Sequence, residues 1–436
     1  MPHIILLGTL DTKLTETLYI HNALHETAKT LHFPSPLKVT LIDCGREDIA
    51  HPLITIPHRT LLENYDAPSI NLSTLPRAEV ITHLTKAATT CVRTLLSSKT
   101  NQVHGIIGTG GSGGTSLISA VMRDAAPIGL PKLIVSTIAS GETGSVVGEC
   151  DITLMYSVVD IAGMNRVLGD VLGNAAGAIL GMAGAYEGRV SRQHLPTKEG
   201  EKEGGEGKIR LGITMFGVTT PAVNHIRAHL ATKYPAVEPY IFHATGHGGK
   251  AMERLVTENR LDAILDLTTT EIVDYIARGN MACDASRLEP TLRRGIPNVI
   301  SLGATDMVNF GPEHTVPPKF RDQKRNLQVH NPSVTLMRTS REEARRVGEF
   351  IVDKVKRFAR EPGMVEIWIP RGGVSIMSTP GGVFADGEAD RVLFEVLRDG
   401  LEGSGVRVVV DERDVNDQGF AVDIAESAMG LVRRYT

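Results

Sequence analysis

"GIIGTGGSGGTSL", Gly105 to Leu117, sets an apolar run against a block holding five glycines between Gly108 and Gly114. Each glycine gives up more backbone freedom on folding than any other residue, so this loop is costly to order. The preceding "VHGIIG" reads as a strand ending at Ile107, and "TSLISAVMRDA" reads as a helix. Strand, glycine loop and helix form the unit of open α/β folds in which bare backbone N–H groups at a helix N-terminus hold phosphate oxygens. Gly108, Gly110 and Gly113 fit a GxGxxG spacing, a weak signal by itself, while Ser112 and Thr115 add hydroxyl donors.

On both sides of this loop, short apolar runs alternate with amphipathic stretches. In the first half "HIILLG", "LKVTLIDCG", "PKLIVST" and "DITLMYS" read as strands, and a long helix of small residues runs from Asp160 to about Ala185. In the second half "KIRLGITMFG", "EPYIFHATG", "MVEIWIP" and "VRVVVDE" repeat the pattern. Continuous apolar strands alternating with helices imply parallel sheets covered on both faces. Between the halves lies "GRVSRQHLPTKEGEKEGGEGKIR", Gly188 to Arg210, whose polar, Gly/Glu/Lys-rich composition reads as a flexible linker. The expected architecture is α/β, with two Rossmann-like, doubly wound parallel-sheet domains over 1–187 and 209–436, joined by a linker over 188–208.

The 436 residues are 42% hydrophobic and 22% charged, with a formal net charge of -4. That balance suits a globular protein and argues against nucleic acid as a partner. Cys44, Cys91, Cys150 and Cys283 stand without pair spacing, which excludes a CxxC zinc site and fits reduced thiols. No run is read as long enough to span a membrane, and "MPHIILLG" is too short for a signal peptide, so a cytoplasmic protein is expected.

Ligands of open α/β sheets sit beyond the carboxyl ends of the strands. Three loops of the first half qualify: "GTLDTK", "DCGR" and the glycine loop. Asp11 or Thr12 suits the cap of the first helix, and Lys13 supplies a cation for phosphates if strands one and three are neighbours. Asp11 is then a candidate for one carboxylate of a Mg²⁺ site. Asp43 is placed for a ribose hydroxyl and Arg46 for a phosphate or base, although a plain surface turn accounts for both equally well. A dinucleotide site needs an acid after the next strand, where this chain has Ser136 and Thr137, which weakens an NAD(P)-dependent oxidoreductase. No Gly-Lys-Ser/Thr follows the glycines, so the loop is not a Walker A motif. Strand-end loops of the second half bring forward His243, Thr269, Thr270, Asp306 and Ser375 as the lining of a second pocket for an unknown small molecule. His243 and His247 sit four apart, but in a strand-to-loop passage and not on one helical face, so a satisfied loop histidine is expected over a zinc pair.

Together "GTLDTK", "GTGGSGGTS", "PKLIVSTIASG", "DITLMYSVVDIAGMNRV", "MFGVTTPAVN", "FHATGHGGKAMERL", "LDLTTTE" and "DMVNFGP" resemble one family. It is that of the N-terminal ATP-binding domain of the plant tomato mosaic virus resistance protein and its uncharacterised bacterial and fungal relatives. The resemblance covers nearly the whole chain. It implies two Rossmann-like subdomains, ATP bound by the first, and a homodimer. Residue by residue, it places the nucleotide against Asp11, Thr12 and Lys13 and against Gly110, Gly111, Ser112 and Gly113, beside Gly114 and Thr115; Arg46 falls in a nucleotide-contacting loop. Thr109 departs from the family's more frequent Gly-Leu-Gly opening, and His247 replaces a small residue. Plant members continue into a TIM-barrel domain, of which nothing is carried over here. The expected function is ATP binding, with a phosphotransferase or ligase activity left open beside a non-catalytic ATP-sensing module.

Overall fold

The computed structural model describes residues 2–31, 36–65, 75–98, 100–193 and 207–435. The chain divides into two units, Met1–Glu201 and Lys202–Thr436.

Unit 1 opens with β1 (His3–Gly8), α1 (Leu10–Thr30), β2 (Lys38–Asp43), α2 (His58–Tyr65) and α3 (Arg77–Leu96). It continues with β3 (Gly105–Gly110), α4 (Ser112–Ala125), β4 (Lys132–Ser136), α5 (Gly144–Val147), β5 (Thr153–Tyr156) and α6 (Arg166–Gln193). The strands form one parallel sheet in the order β2-β1-β3-β4-β5. Alternate residues of β1 face opposite sides, as the two-residue period of a strand requires. Ile5 and Leu7 pack with Leu84 and Ile118, while Ile4 and Leu6 pack with Leu24 and Leu172. Helices thus cover both faces, which is why β1 reads as an unbroken apolar run.

Helix α6 differs from its sequence reading at both ends. Residues 160–165 form a loop in which the Asn165 side chain accepts from the Leu168 N–H at 3.0 Å. At the other end the helix runs to Gln193, into the stretch whose composition marked a linker; residues 194–206 of that stretch lie outside the described residues. Its Arg166–Ser191 segment is also long and apolar enough to cross a membrane by length and composition alone. That signal is diluted in the sequence by glycine and alanine. Leu168, Leu172, Ile179 and Leu180 are buried against the sheet side, as in the core helix of a globular unit.

Unit 2 contains β6 (Ile209–Met215), α7 (Thr220–Lys233), β7 (Val237–His243), α8 (Gly248–Thr257), β8 (Ala263–Thr268) and α9 (Thr270–Ala277). There follow α10 (Glu289–Arg294), β9 (Asn298–Gly303), β10 (Met307–Phe310), α11 (Pro318–Asp322), β11 (Leu327–Asn331) and β12 (Val334–Arg338). The unit closes with α12 (Arg341–Phe358), β13 (Val365–Pro370), α13 (Gly387–Leu401), β14 (Arg407–Asp411) and α14 (Gln418–Tyr435). Its main sheet is parallel, in the order β14-β13-β9-β8-β6-β7. When the strands of each parallel sheet alone are numbered along the chain, the first five follow one path, 2-1-3-4-5, so the two units repeat one doubly wound topology. Unit 2 adds what the strand pattern did not announce, a small antiparallel sheet β10-β12-β11.

Candidate functional site

Where the strand order reverses, neighbouring loops diverge and leave a crevice at the carboxyl edge of the sheet. In unit 1 that point lies between β1 and β3, so the loops after strands one and three are adjacent. A cavity of about 680 Å³ occupies it, lined by Thr9, Asp11, Thr12 and Lys13, by Cys44 to Glu47, and by Gly111 to Gly114. Ile81 and Leu84 of α3 and Leu117 of α4 form its apolar wall. The size and mixed lining are those of a small-molecule site.

The glycine block splits between two tasks. Gly108 and Gly110 belong to β3, not to the loop, because α4 packs closely on the strand. A Cβ on Gly108 would stand 2.8 Å from the Ile118 side chain, and one on Gly110 would stand 2.8 Å from the backbone of Gly114. Gly111 is the N-cap of α4 at φ -74°, and no side chain caps the helix. The first N–H groups of α4, at Ser112, Gly113 and Gly114, therefore face the cavity without an intrahelical acceptor.

On the facing wall, α1 begins one turn earlier than expected. Thr9 is its N-cap, so neither Asp11 nor Thr12 holds that position. Lys13 has non-helical backbone angles, φ -132° and ψ 26°, inside the helix. The Thr17 hydroxyl donates to the Lys13 carbonyl at 2.7 Å and holds this kink. Asp11 ties two loops together: its Oδ2 accepts from the Arg46 N–H at 2.9 Å, while its Oδ1 has no partner. A Cβ on Gly45 would stand 2.7 Å from Asp11, so a bare residue is needed there for this approach.

Three residues expected at the ligand lie behind the cavity wall. Asp43 is wholly buried, and its Oδ1 accepts from the N–H groups of Leu10 (3.2 Å) and Gly45 (2.8 Å). Burial pushes its carboxyl above the usual value, against the pull of those two N–H groups. Thr115 is wholly buried and shares a 2.7 Å hydrogen bond with Ser136. Gly110 is held within β3. Asp11, Thr12, Lys13, Arg46, Gly111, Ser112, Gly113 and Gly114 do come together on the wall. Sequence reasoning passed over Thr9, Glu47, Ile81, Leu84 and Leu117, of which Glu47 alone carried a signal, as an acid just past a strand end. Among the described residues no three His, Cys, Asp or Glu side chains form a metal-holding group. A Mg²⁺ ion at Asp11 would draw most of its oxygens from phosphate and water.

Unit 2 handles the equivalent edge differently. At its β6/β8 reversal the Thr219 and Thr268 hydroxyls bond each other at 2.8 Å, and the Asn416 side chain accepts from the Ala222 N–H at the start of α7. The glycine turn before α8 is occupied from within, since Glu271 Oε1 accepts from the N–H groups of Gly246 (2.8 Å) and Gly249 (3.1 Å). Thr269, Thr270, Asp306 and Ser375 are all wholly buried, so they knit loops together and do not line an open pocket. The Ser375 hydroxyl donates to Asp306 Oδ2 at 2.7 Å, and the Thr269 hydroxyl donates to the Ser301 carbonyl at 3.1 Å. His243 lies apart on the surface, stacked on Phe216 with ring centres 5.6 Å apart.

This buried polar layer makes unit 2 sensitive to pH. Burial pushes the carboxyls of Glu253 and Asp274 up to about 7 and that of Asp306 up to about 6. Folded unit 2 thus holds protons that its unfolded chain has already released near pH 4. The stability these three groups contribute is full below about pH 4 and is lost as pH rises toward 7, by up to about 1.4 kcal/mol per pH unit for each proton concerned. Trp368, the single tryptophan, is buried in unit 2 and reports its unfolding alone. Urea titrations followed by its fluorescence are expected to give a lower midpoint at pH 8 than at pH 5. A midpoint that rises over that interval contradicts this assignment.

The fold and the site define a class: an α/β protein of two doubly wound units, with an open crevice at the sheet reversal of the first. The chain belongs to the uncharacterised protein family UPF0261, whose N-terminal domain matches residues 2–188 and whose C-terminal domain matches residues 208–432. The ToMV susceptible protein tm-1(GCR26) of Solanum lycopersicum is 38% identical over 442 residues, covering 99% of this chain and 56% of that protein. The chain thus spans about half the length of this plant relative. A UPF0261 protein of Clostridium tetani is 37% identical over 99% of both chains. Another from Mesorhizobium japonicum is 37% identical over 98% of both.

Proposed function

We propose that this protein binds ATP in the unit 1 crevice, its phosphates resting on the N-terminus of α4. The supporting observation is the uncapped start of α4, which opens on a cavity that also holds Lys13 and Arg46. Neither cation has a carboxylate partner among the described residues. Backbone N–H groups, the positive end of a helix dipole and unpaired cations suit a polyanion. The apolar wall of Ile81, Leu84 and Leu117 suits the base of a nucleotide better than it suits free phosphate. The proposal is binding of the nucleotide, and phosphoryl transfer is no part of it.

Lys13 gives the direct test. A charge-assisted hydrogen bond contributes about 1.5–3 kcal/mol. Lys13→Ala is therefore expected to weaken ATP binding about tenfold to a hundredfold in calorimetric titration with Mg²⁺ present. Its circular dichroism should match that of the parent, because the ammonium group anchors no other part of the fold. Full ATP affinity in the folded variant would remove Lys13 from the site.

A further inference from the structure

Of the acids that follow β2, Asp43 is spent inside the fold, whereas Glu47 lies on the cavity wall. Glu47 is exposed and has no hydrogen bond or ion pair among the described residues. Its backbone is not free to wander, however. The two residues just before it are pinned in succession, Gly45 N–H to Asp43 Oδ1 at 2.8 Å and Arg46 N–H to Asp11 Oδ2 at 2.9 Å. These bonds hold the loop after β2 against the start of α1, with the Glu47 carboxylate on the cavity side.

We propose that Glu47 is the residue through which this site reads ribose. Its carboxylate accepts from the 2′- and 3′-hydroxyls of a nucleotide whose triphosphate lies on α4. The inference rests on the nucleotide reading above and adds its orientation and its sugar specificity.

Three considerations carry it. First, distance: β2 and β3 flank β1, so their carboxyl ends lie two strand spacings apart, about 10 Å. A ribose 5′-triphosphate spans that gap when its terminal phosphates sit on α4. Second, charge: a carboxylate repels phosphate, so the triphosphate is directed toward Lys13 and the α4 N-terminus, and the neutral diol toward Glu47. Third, chemistry: an ionised carboxylate is acceptor-only, and a vicinal diol offers two donors that match its two oxygens. The acid that binds ribose in dinucleotide folds follows β2 in the same way. The apolar wall from α3 then remains for the base. A nucleotide carrying a 2′-phosphate would be rejected by the same carboxylate.

The test compares three probes on the full chain by calorimetry with Mg²⁺: ATP, 2′,3′-dideoxy-ATP and inorganic tripolyphosphate. The parent protein is expected to prefer ATP over the dideoxy analogue about tenfold to a hundredfold. In Glu47→Ala, ATP should fall to the affinity of the dideoxy analogue, while tripolyphosphate binds as tightly as before or more tightly. Equal affinity of the parent for ATP and dideoxy-ATP would overturn the role of Glu47 and leave the nucleotide reading standing. So would a Glu47→Ala protein that keeps the preference for ATP. Failure of the parent to bind ATP at all would overturn both. Since Glu47 is exposed and unpaired, the variant is expected to fold, and thermal denaturation checks it.

Discussion

Gly111→Val should lose ATP binding by about a hundredfold or more while the protein stays as stable as its parent. The two halves of that expectation have separate causes. Gly111 has φ -74° and ψ -165°, extended angles that a β-branched residue adopts readily, so no left-handed conformation is at stake. Within 4 Å, a Cβ there meets only the Thr137 hydroxyl, at 3.8 Å. The protein therefore accepts the side chain. The ligand is expected not to, because Gly111 is itself on the cavity wall and an isopropyl group there adds bulk where a phosphate approaches the backbone. Gly110→Ala makes the contrast, since its Cβ would press on the Gly114 backbone and lower stability directly. Calorimetry beside thermal denaturation separates the two variants. A folded Gly111→Val protein with undiminished ATP affinity would place the nucleotide elsewhere.

The second large effect concerns stability. Arg287 is 1% exposed and holds three carboxylates at once. Its Nη1 donates to Glu253 at 2.8 Å, its Nη2 pairs with Asp266 at 2.7 Å, and its Nε with Glu271 at 3.2 Å. Glu271 in turn holds the glycine turn before α8, so one guanidinium anchors β8, α8 and α9 together. Arg287→Met leaves three acids buried without their cation, and breaking a buried ionic network of this kind costs about 3–5 kcal/mol. The Trp368 transition should move to markedly lower urea at pH 8. Part of the loss should return at pH 5, where buried carboxyls take up protons. A loss below about 1 kcal/mol at pH 8 would mean that the network relaxes or admits water.

Much of this site was legible because its signals are local. An apolar run followed by glycines and an amphipathic stretch marks β3, its loop and α4 within thirteen residues, Gly105 to Leu117. The pairing of that loop with Lys13 depended on strand order, and the β2-β1-β3 arrangement supplies it. What stayed hidden is what depends on direction. Glycine leaves the start of α4 open to the cavity at Gly111 and permits helix packing at Gly108, and the letter is the same in both. Asp43 and Glu47 both follow β2, and only the hydrogen bonds from Leu10 and Gly45 to Asp43 show which carboxylate turns inward. Ile81 and Leu84 look like core positions of an amphipathic helix, although both also reach the cavity. In unit 2 the acids met by Arg287 lie 16 to 34 positions away, beyond any periodic pattern. Polar residues at strand ends read as a pocket for that reason, where the fold uses them as internal ties.

A crystal structure of the full chain grown with ATP and Mg²⁺ tests the central claim most directly. The account predicts phosphate oxygens within hydrogen-bond distance of the Ser112, Gly113 and Gly114 N–H groups, with the Lys13 ammonium on the same phosphates. Ordered nucleotide bound elsewhere, with the α4 N-terminus open to solvent, would contradict it.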